Sequence, residues 1–411
     1  MVTRFFDLTT TEQVYRAIGA FEPLETERVE AGRAAGRVVA ETVLAAEDVP
    51  MFDRSNMDGF AVRAADTFGA SENALVSLRV TGHVAMGTEA TVLVEPGCAV
   101  KVSTGAMLPG GADAVVMVEK TESLADEVIA LREAAVPGQN LIRIAEDLAK
   151  GDVVFEPGRR LKGGDIGALT GAGHAGVRVY QVPRVGILVT GDEIVEPDAV
   201  LRPGQVRNVN EYSLTSLARL LGARVNDYGV SGDDEDNIGV VLTRAASEND
   251  LVLVSGGSSK GDKDLTRRAF DRLGADVLLH GIAIAPGKPT ILARKERCAL
   301  LGLPGNPAAA IVVFTLFCAP LIRVLEGERL DRILLTRPTT RARLSRALTS
   351  TPGREDYIRV RLEHDERGTV AIPLAGKSVA ISTIARADGL LRIPLSLDGL
   401  DAGTDVEVLL F

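Results

Sequence analysis

The sequence predicts an α/β plus β fold, in which a three-layer α/β domain is flanked by β-rich modules. Over residues 183–330 strand patterns alternate with helix patterns, and such alternation specifies a parallel or mixed sheet covered by helices. Short strands punctuated by glycine fill residues 49–147 instead, and only short strands remain after residue 333. With 411 residues, the chain is long enough for two to four domains that each bury a core.

Apolar runs and amphipathic segments predict the elements of the α/β domain. In sheets of this kind, ligands bind beyond the carboxyl ends of the strands, so the loops that follow the strands are the candidate functional sites. The predicted strands are 185–190, 224–230, 251–255, 277–282 and 299–303, and the predicted helices are 211–221, 235–246, 265–273 and 308–325.

The rest of the chain is predicted to be mostly β structure. Residues 8–20 are an exception, because Val14, Ala17 and Ile18 have the spacing of an amphipathic helix. A second short helix is predicted near 26–35, and a β-rich connector with many glycines at 148–182. The strands of the β-rich module are predicted at 59–63, 75–81, 98–103, 114–119 and 127–131.

Composition argues against several classes of protein. The net charge of −10, the absence of Trp and an aromatic content of 4% are unlike a nucleic-acid platform. The chain has three cysteines, far apart, and four scattered histidines, so neither a zinc spacing nor a disulfide framework is present. We expect all three cysteines to be buried core residues.

Targeting signals are not evident in the sequence. The first seven residues lack the charged-then-apolar layout of a signal peptide, so we expect a protein of the reducing cytoplasm. The longest apolar stretch, residues 307–322, is shorter than the roughly 20 residues that span a bilayer. We therefore expect a buried helix there and no membrane partner.

The first candidate loop is Thr190-Gly-Asp-Glu193, which follows the strand at 185–190. Glycine lets the backbone turn sharply, and Asp192 and Glu193 then project from the end of the strand. Carboxylate oxygens in such a place suit a hard cation such as Mg²⁺. The alternative is a solvated turn that happens to be acidic.

The second candidate loop runs from Ser255 to Asp264 and joins a buried strand to a helix. Three glycines (Gly256, Gly257 and Gly261) free backbone N–H groups to converge on an anion, and the helix that follows adds its positive end. The pattern therefore predicts a phosphate cradle. The alternative is a tight strand–helix junction in which Asp262 and Asp264 only cap the helix.

Two proline-containing loops complete the set in this domain. In residues 286–289, Pro-Gly-Lys-Pro, two prolines stiffen a turn that presents Lys288 to a phosphate or an oxyanion. The alternative is an ordinary exposed turn lysine. In residues 303–307, Leu-Pro-Gly-Asn-Pro, a strand passes directly into a helix with proline in its first turn, which offers another helix N-terminus to an anion.

Three further polar loops lie outside the α/β domain. Asp58 precedes a glycine and a strand, Thr104 precedes a glycine, and Glu146-Asp147 forms an acidic pair. None of these loops is specific alone, because Asp-Gly is most often a turn.

Together, these motifs closely resemble the molybdopterin molybdenumtransferase family, the bacterial MoeA type, which is similar to the gephyrin E domain. The resemblance runs from about residue 8 to the C-terminus, and the motifs occur in the family's order. They are found at residues 55–62, 103–116, 138–140 with 146–147, 190–193, 255–264, 286–289 and 303–307.

The resemblance implies an elongated homodimer of four-subdomain chains. An N-terminal helix within 1–21 would pack on the α/β domain, and the C-terminal domain would be a small β barrel. The implied divisions are a connector at 22–48 plus 148–182, a β-rich subdomain at 49–147, a molybdopterin-binding α/β domain at 183–332 and a C-terminal β domain at 333–411.

The implied reaction takes adenylylated molybdopterin and molybdate, releases AMP with Mg²⁺ and leaves molybdenum on the pterin dithiolene. Glu193, Asp264, Asp58 and Asp147 match the family's important carboxylates, and Glu193, Asp264 and Asp262 are the candidate Mg²⁺ ligands. The upstream molybdopterin adenylyltransferase is a possible partner. The implied substrate-binding residues are Thr104, Thr190, Gly191, Asp192, Ser255, Gly256, Gly257, Ser258, Gly261, Lys288, Pro304, Gly305, Asn306 and Arg354.

The chain departs from the family pattern in the loops that would meet the oxyanion. Ala285 stands where relatives usually carry lysine, and Ala309 lies where a serine commonly follows Asn-Pro. The choice between molybdate and tungstate is therefore open. Two alternatives to the transferase are a molybdopterin adenylyltransferase-like enzyme, which would lack the 22–182 and 333–411 modules, and a non-enzymatic dimeric pterin-binding scaffold.

Overall fold

A computed structural model describes residues 8–257 and 265–411, with a mixed six-stranded sheet at the centre of the α/β domain. Four neighbouring strands are parallel, the fifth runs antiparallel to them, and the sixth is antiparallel to the fifth and so runs in the same direction as the first four. From one edge to the other the strands are Arg224–Ser231, Arg184–Thr190, Leu251–Ser255, Cys298–Leu303, Ile291–Lys295 and Asp276–His280.

Helices cover both faces of this sheet because the central strands are apolar on both faces. Ile187 and Leu253 pack into one core cluster, whereas the adjacent Leu188 and Val252 pack into another, as the period-two alternation of a strand requires. Two helices pack into the first cluster: Asn210–Leu220 and one long helix, which consists of Pro307–Val313, a π turn at Phe314–Cys318 and Ala319–Leu325. The helices Glu235–Glu248 and Leu265–Arg272 pack into the second cluster.

The long helix at 307–325 is the most apolar segment among the described residues. Its 19 residues would suffice, by length and composition alone, to cross a membrane, but 83% of its apolar window is buried within the protein. Val14 and Ile18 of the N-terminal helix Thr11–Gly19 belong to the same core cluster as this helix. This burial is typical of a core helix.

The β-rich region between residues 59 and 131 forms a second six-stranded sheet. Gly59–Val62 lies between two antiparallel neighbours, and a Cβ at Gly59 would lie 2.1 Å from the carbonyl oxygen of Val116, so only glycine fits there. In order across the sheet, the strands are Ala114–Met117, Gly59–Val62, Cys98–Val102, Val76–Val84, Val128–Leu131 and Thr121–Ala125.

The C-terminal region closes into a small barrel. Gly389–Ile393 pairs with both Asp405–Leu410 and Glu355–Asp365, which joins the two edges of the sheet. Strand Ile284–Ala285 of the α/β domain is added beside Glu355–Asp356. Around the barrel the strands are Glu355–Asp365, Gly368–Pro373, Thr339–Leu344, Asp405–Leu410 and Gly389–Ile393. The architecture confirms the predicted α/β plus β class.

Short ladders and helices connect these units. The pairings of Thr26–Glu30 with Gly176–Tyr180 and of Val43–Leu44 with Val153–Phe155 support a connector made from two separate stretches of chain. The other two-stranded ladders are Arg54–Ser55 with Leu141–Ile142, Ile194–Val195 with Val206–Arg207, and Leu348–Thr349 with Gly399–Leu400. The remaining α-helices are Gly163–Gly171, Leu330–Leu335 and Ile381–Ala385. Three 3-10 turns lie at Ala31–Arg33, Ala64–Thr67 and Val118–Lys120.

Four sequence-based expectations were wrong in detail. The helix predicted near 26–35 is the strand Thr26–Glu30 and a 3-10 turn, since the strand pairs with Gly176–Tyr180. The connector carries the helix Gly163–Gly171, whose four glycines hid its helical pattern. Strand Ile291–Lys295 was missed, and Glu355–Asp365 has 11 residues although only short strands were expected.

An ion cluster ties the connector to the α/β domain. Arg160 donates from Nε to Glu328 over 2.8 Å and also pairs with Glu326, while Arg323 holds Glu328 from the other side at 2.6 Å. Burial alone would raise the pKa of Glu328, but hydrogen bonds and charges from Arg323 and Arg160 outweigh it and lower the pKa. The side chains of Glu326 and Glu328 are only 8% and 4% exposed, so they depend on these arginines.

We expect Arg160→Ala to destabilise the protein by about 3 kcal/mol or more, because it leaves the buried Glu326 without its arginine partner and Glu328 with Arg323 alone. Arg16→Ala is the matched control: Arg16 pairs with Glu12 at 2.6 Å, but both side chains are about three-quarters exposed. Such surface pairs contribute roughly 0.5 kcal/mol or less. Urea unfolding followed by circular dichroism measures both, and equal effects of the two substitutions would contradict the structural role of Arg160.

Candidate functional site

The carboxyl ends of three parallel strands open into a cleft of about 590 Å³. Strands Arg184–Thr190, Leu251–Ser255 and Cys298–Leu303 run in the same direction, so the loops that follow them lie together. We call this the strand-end cleft; its lining includes Thr190, Gly191, Glu193, Asn208, Asn210, Asp233, Ser255, Gly256, Gly257, Pro304, Gly305 and Asn306.

Positive φ angles and close contacts explain two glycines of this cleft. Gly256 has a φ of +106°, and a Cβ there would lie 2.3 Å from the carbonyl oxygen of Thr190. Gly191 has a φ of +148°, and its Cβ would lie 2.8 Å from Oε2 of Glu193. Neither position accepts a side chain without movement of its neighbours. The glycines therefore let the loops approach each other at the floor of the cleft.

Two acidic residues, Glu193 and Asp233, line the strand-end cleft at its exposed rim, and Asp192 lies beside them. Oδ1 of Asp192 accepts a hydrogen bond from the backbone N–H of Asp233 over 3.0 Å, which joins two loops. Burial raises the pKa of Asp233, and the charges of Asp192 and Glu193 raise it further. The rim therefore concentrates negative charge that a cation would relieve.

These carboxylates suit Mg²⁺ in their chemistry but do not form a complete cage. Within residues 8–257 and 265–411, no group of three His, Cys, Asp or Glu is placed to hold a metal ion. Mg²⁺ commonly binds through one or two carboxylates and completes its shell with water and substrate phosphates, so Glu193 and Asp233 fit that use. The predicted ligands Asp262 and Asp264, with Ser258 and Gly261, lie outside the described residues.

The hydrogen-bonded residues Asn208 and Glu211 support one wall of the cleft. Asn208 donates from Nδ2 to Oε2 of Glu211 over 2.5 Å and accepts from the backbone N–H of Glu211, which fixes the start of helix Asn210–Leu220. Burial raises the pKa of Glu211 to about 7, and a hydrogen-bonded carboxyl of Asp227 and the charge of Glu196 raise it as well. Glu211 therefore carries a proton in much of the neutral range.

A second cleft, of about 260 Å³, adjoins the first and shares Pro289, Pro304 and Asn306 with it. Strand Ile284–Ala285 pairs with Glu355–Asp356, and this pairing brings Lys288 and Arg354 to the same cleft. We call this the Lys288 cleft. Its lining also includes Ala285, Ala309 and Ser378.

The side chains around the Lys288 cleft are held by neighbouring groups. An ion pair of 2.9 Å between Nε of Arg354 and Oδ1 of Asp356 anchors the guanidinium, which has further N–H donors for an anion. Asn306 donates from Nδ2 to Oγ of Ser378 over 3.0 Å, which fastens the loop before Ile381–Ala385 to the Leu-Pro-Gly-Asn-Pro turn. The cleft thus combines a lysine, an arginine and a hydroxyl.

The predicted site residues that the structure describes fall into two groups: those in or beside the two clefts, and Asp58, Thr104 and Asp147, which line neither cleft. Asp58 and Thr104 are together, because Oδ1 of Asp58 accepts from the backbone N–H of Thr104 over 2.7 Å. Asp147 is exposed, and its backbone N–H donates to Val49 over 3.0 Å. Among the described residues, none from 49–147 lines the strand-end cleft or the Lys288 cleft.

The structure adds site residues that sequence reasoning missed. Asn208 and Asn210 line the strand-end cleft, and an Asn208-x-x-Glu211 capping pattern before a helix could have marked them. Asp233 follows strand Arg224–Ser231 and was open to the same strand-end argument as Glu193. Ser378 has no comparable local signal, because its place depends on the packing of the C-terminal region against Asn306.

Comparison with known proteins decides the family. In chain order, residues 8–173, 186–324 and 341–411 match the families described as MoeA N-terminal region (domain I and II), probable molybdopterin binding domain, and MoeA C-terminal region (domain IV). A molybdopterin molybdenumtransferase from Staphylococcus aureus is 32% identical over 402 residues, which is 97% of this chain and 94% of the relative. The chain belongs to the molybdopterin molybdenumtransferase family. The resemblance seen in the sequence is confirmed.

Other relatives agree with this family. A molybdopterin molybdenumtransferase from Staphylococcus epidermidis is 32% identical over 376 residues, or 91% of this chain and 88% of the relative. A crystal structure of a molybdopterin biosynthesis MoeA protein from Pyrococcus horikoshii has a TM-score of 0.83 at 35% identity and covers 98% of this chain and 99% of its own. Family membership places the chain among the transferases of molybdenum cofactor biosynthesis.

Glu211 makes the stability of this molybdenumtransferase depend on pH. Its folded pKa is about 7 against an ordinary value of 4.5, so the folded state retains a proton that the unfolded state loses. Stability should therefore fall as pH rises from about 4.5 to 7. Glu211→Gln should remove this part of the fall and raise Tm relative to the parent at pH 8, as scanning calorimetry from pH 5 to 8 would show. Glu12→Gln, at an exposed position, should track the parent; parallel curves for all three would contradict the assignment.

Proposed function

We propose that this chain transfers molybdenum from molybdate to adenylylated molybdopterin and releases AMP in a Mg²⁺-dependent step. The observation that carries the proposal is the contact between two clefts of opposite character, one with acidic side chains and the other with Lys288 and Arg354. The two clefts share Pro289, Pro304 and Asn306, so a substrate in one reaches the other. The names of the relatives support molybdopterin as a substrate and molybdenum as the group transferred.

The strand-end cleft is the proposed place of the phosphate groups. Carboxylates beside phosphates repel them unless a cation lies between, so Glu193 and Asp233 are reasonable there only with a metal ion. When bound, Mg²⁺ neutralises phosphate oxygens and eases cleavage of the bond to AMP. Asp192 holds the Asp233 loop through its hydrogen bond to the backbone, and Thr190, Ser255, Gly256 and Gly257 shape the floor.

The Lys288 cleft is the proposed place of molybdate. A dianion needs cationic and hydrogen-bonding partners, and Lys288, Arg354 and the hydroxyl of Ser378 are of that kind. Ala285 and Ala309 line the same cleft and supply neither charge nor a hydroxyl, so the remaining groups carry the binding. Pro304, Gly305 and Asn306 would lie between the oxyanion and the phosphates.

The site is proposed to be completed by a second copy of the chain. Asp58, Thr104 and Asp147 would contribute as in the family, but in one chain they do not line either cleft described above. A homodimer in which one subunit's β-rich module faces the other's clefts would resolve this separation. We further propose a cytoplasmic location and the transfer of substrate from an upstream molybdopterin adenylyltransferase. By resemblance to the family, Asp262 and Asp264 would join Glu193 as Mg²⁺ ligands.

The metal role is tested by Glu193→Gln and Asp233→Asn, which keep side-chain shape and remove charge. Both should lower Mg²⁺-dependent AMP release from adenylylated molybdopterin by at least about tenfold while the protein stays folded. Asp234→Asn is the matched control, because Asp234 caps helix Glu235–Glu248 through Asp236 and Asn237. Asparagine caps equally well, so this variant should retain full activity. Unchanged turnover in both test variants would assign Glu193 and Asp233 to a turn.

The shared site is tested by mixing two inactive variants, Asp58→Ala and Glu193→Ala. After subunit exchange, half of the dimers are heterodimers with one intact site of two, so activity should return to about a quarter of the parent level. Mixing Asp58→Ala with Asp147→Ala is the control and should restore nothing, because every site then lacks one of these carboxylates. A monomer by light scattering, or no rescue in the first mixture, would contradict the proposal.

A further inference from the structure

Asn210 has an incomplete set of hydrogen bonds although it is deeply buried. Its side chain lies at the floor of the strand-end cleft and the residue is only 6% exposed. Nδ2 donates to Oγ of Ser255 over 2.7 Å and to the carbonyl oxygen of Gly305 over 2.8 Å. Oδ1 has no partner in the part of the chain that the structure describes. A buried acceptor without a donor costs free energy, so a ligand is expected to supply one.

The orientation of this amide follows from chemistry. The carbonyl oxygen of Gly305 can only accept a hydrogen bond, so the atom of Asn210 that faces it must be the NH₂ group. Ser255 would tolerate either orientation, because its hydroxyl both donates and accepts. The contact with Gly305 therefore fixes Oδ1 as the unpaired atom of the side chain.

A second unpaired polar atom lies against the same loop. Thr190 is 3% exposed, and its Oγ1 has no hydrogen-bond partner among the described residues. This hydroxyl lies beside Gly256 and Gly257, since a Cβ built on either glycine would be 2.9 or 3.0 Å from it. Thr190 and Asn210 thus flank the segment Ser255–Gly257 and both line the cleft.

The chemistry of Oδ1 decides which part of a ligand fits beside Asn210. Phosphate oxygens are acceptors with negative charge at neutral pH, and they would repel an amide oxygen at hydrogen-bond distance. A nitrogen heterocycle with an amino group offers N–H donors and a flat surface that the glycine floor can accept. Both the pterin and the adenine of the proposed substrate have that chemistry.

We propose that Asn210 is a specificity-determining residue, whose Oδ1 accepts a hydrogen bond from an N–H group of an aminated heterocyclic ring, with Thr190 Oγ1 contacting the same ring. The identity of the ring rests on the proposed function, because pterin and adenine are its two candidates. The floor of the strand-end cleft therefore binds a ring of the substrate, and the phosphates lie toward the acidic rim.

The experiment compares three probes by calorimetry on the full chain: neopterin, adenosine and pyrophosphate. Asn210→Ala should weaken binding of one of the rings by about tenfold, the usual effect of one lost hydrogen bond, and leave pyrophosphate within about twofold. The ring that responds identifies the occupant of the floor. An equal loss for ring and pyrophosphate, or no ring binding by the parent chain, would overturn the proposal.

Two further variants separate recognition from folding. Asn249→Ala is the matched control, because Asn249 is also buried but lines neither cleft, and its amide is satisfied by Asn226, Tyr228 and Ala245. It should leave the ratio of ring to pyrophosphate affinity unchanged. Thr190→Val breaks no hydrogen bond seen in the structure, so Tm should hold or rise while ring affinity falls. If Asn210→Ala does not fold, this variant decides, and unchanged ring affinity in it would overturn the proposal.

An AMP-release assay on the parent chain separates this inference from the proposed function. Asn210-dependent ring binding without molybdate-dependent AMP release would keep the inference and contradict the proposed reaction. AMP release at the expected level, with ring affinity indifferent to Asn210 and Thr190, would keep the reaction and contradict the inference.

Discussion

The site depends on a backbone contact at the end of the central sheet. Three parallel strands end side by side, and Gly256 donates its N–H to the carbonyl oxygen of Leu303 over 3.3 Å while it lies against Thr190. Since a Cβ at Gly256 would approach the carbonyl oxygen of Thr190 to 2.3 Å, the loops come together only because the residue is glycine. Loss of this contact would separate Thr190 from Ser255 and Gly305, and the floor and the acidic rim would lose their common frame.

The neighbouring Lys288 cleft is built by a different constraint, a buried carboxylate. Glu355 is 4% exposed and accepts from Thr11 over 2.8 Å, from Tyr357 over 2.7 Å and from Arg392 over 2.5 Å. These bonds join the N-terminal helix, the barrel and the strand that pairs with Ile284–Ala285. Since Arg354 is the next residue, its approach to the Pro-Gly-Lys-Pro turn is a consequence of how Glu355 is satisfied. The hydrogen bonds of Glu355 thus help to position Arg354 at the Lys288 cleft, although Glu355 itself does not line that cleft.

Sequence reasoning predicted what is local and missed what depends on packing. The central strands and the glycine loops after them were found, because apolar runs followed by glycine are local signals. The local pattern near 26–35 predicts a helix, but Thr26–Glu30 is a strand, because pairing with a segment about 150 residues away overrides a weak local preference. Asn210 and Ser378 were missed for a related reason: an unpaired amide oxygen, or a serine held by Asn306, is defined by three-dimensional neighbours. The identity of the carboxylates as a functional set came from resemblance, and their roles stay predictions.

The opposite charges of the adjoining clefts also explain how an acidic protein would bind two anionic substrates, molybdate and adenylylated molybdopterin, at different positions. With a net charge of −10, the chain has no long-range attraction for either, so local groups must distinguish them. In the proposed reaction, the Lys288 cleft would meet the oxyanion with charges that the protein already carries. The acidic rim repels phosphate until a divalent cation is present, and the unpaired Oδ1 of Asn210 repels phosphate in any case. In the proposed reaction, the phosphate groups can therefore bind only at the acidic rim, together with a divalent cation. This restriction orients the substrate so that the end away from the phosphates points toward the oxyanion in the Lys288 cleft.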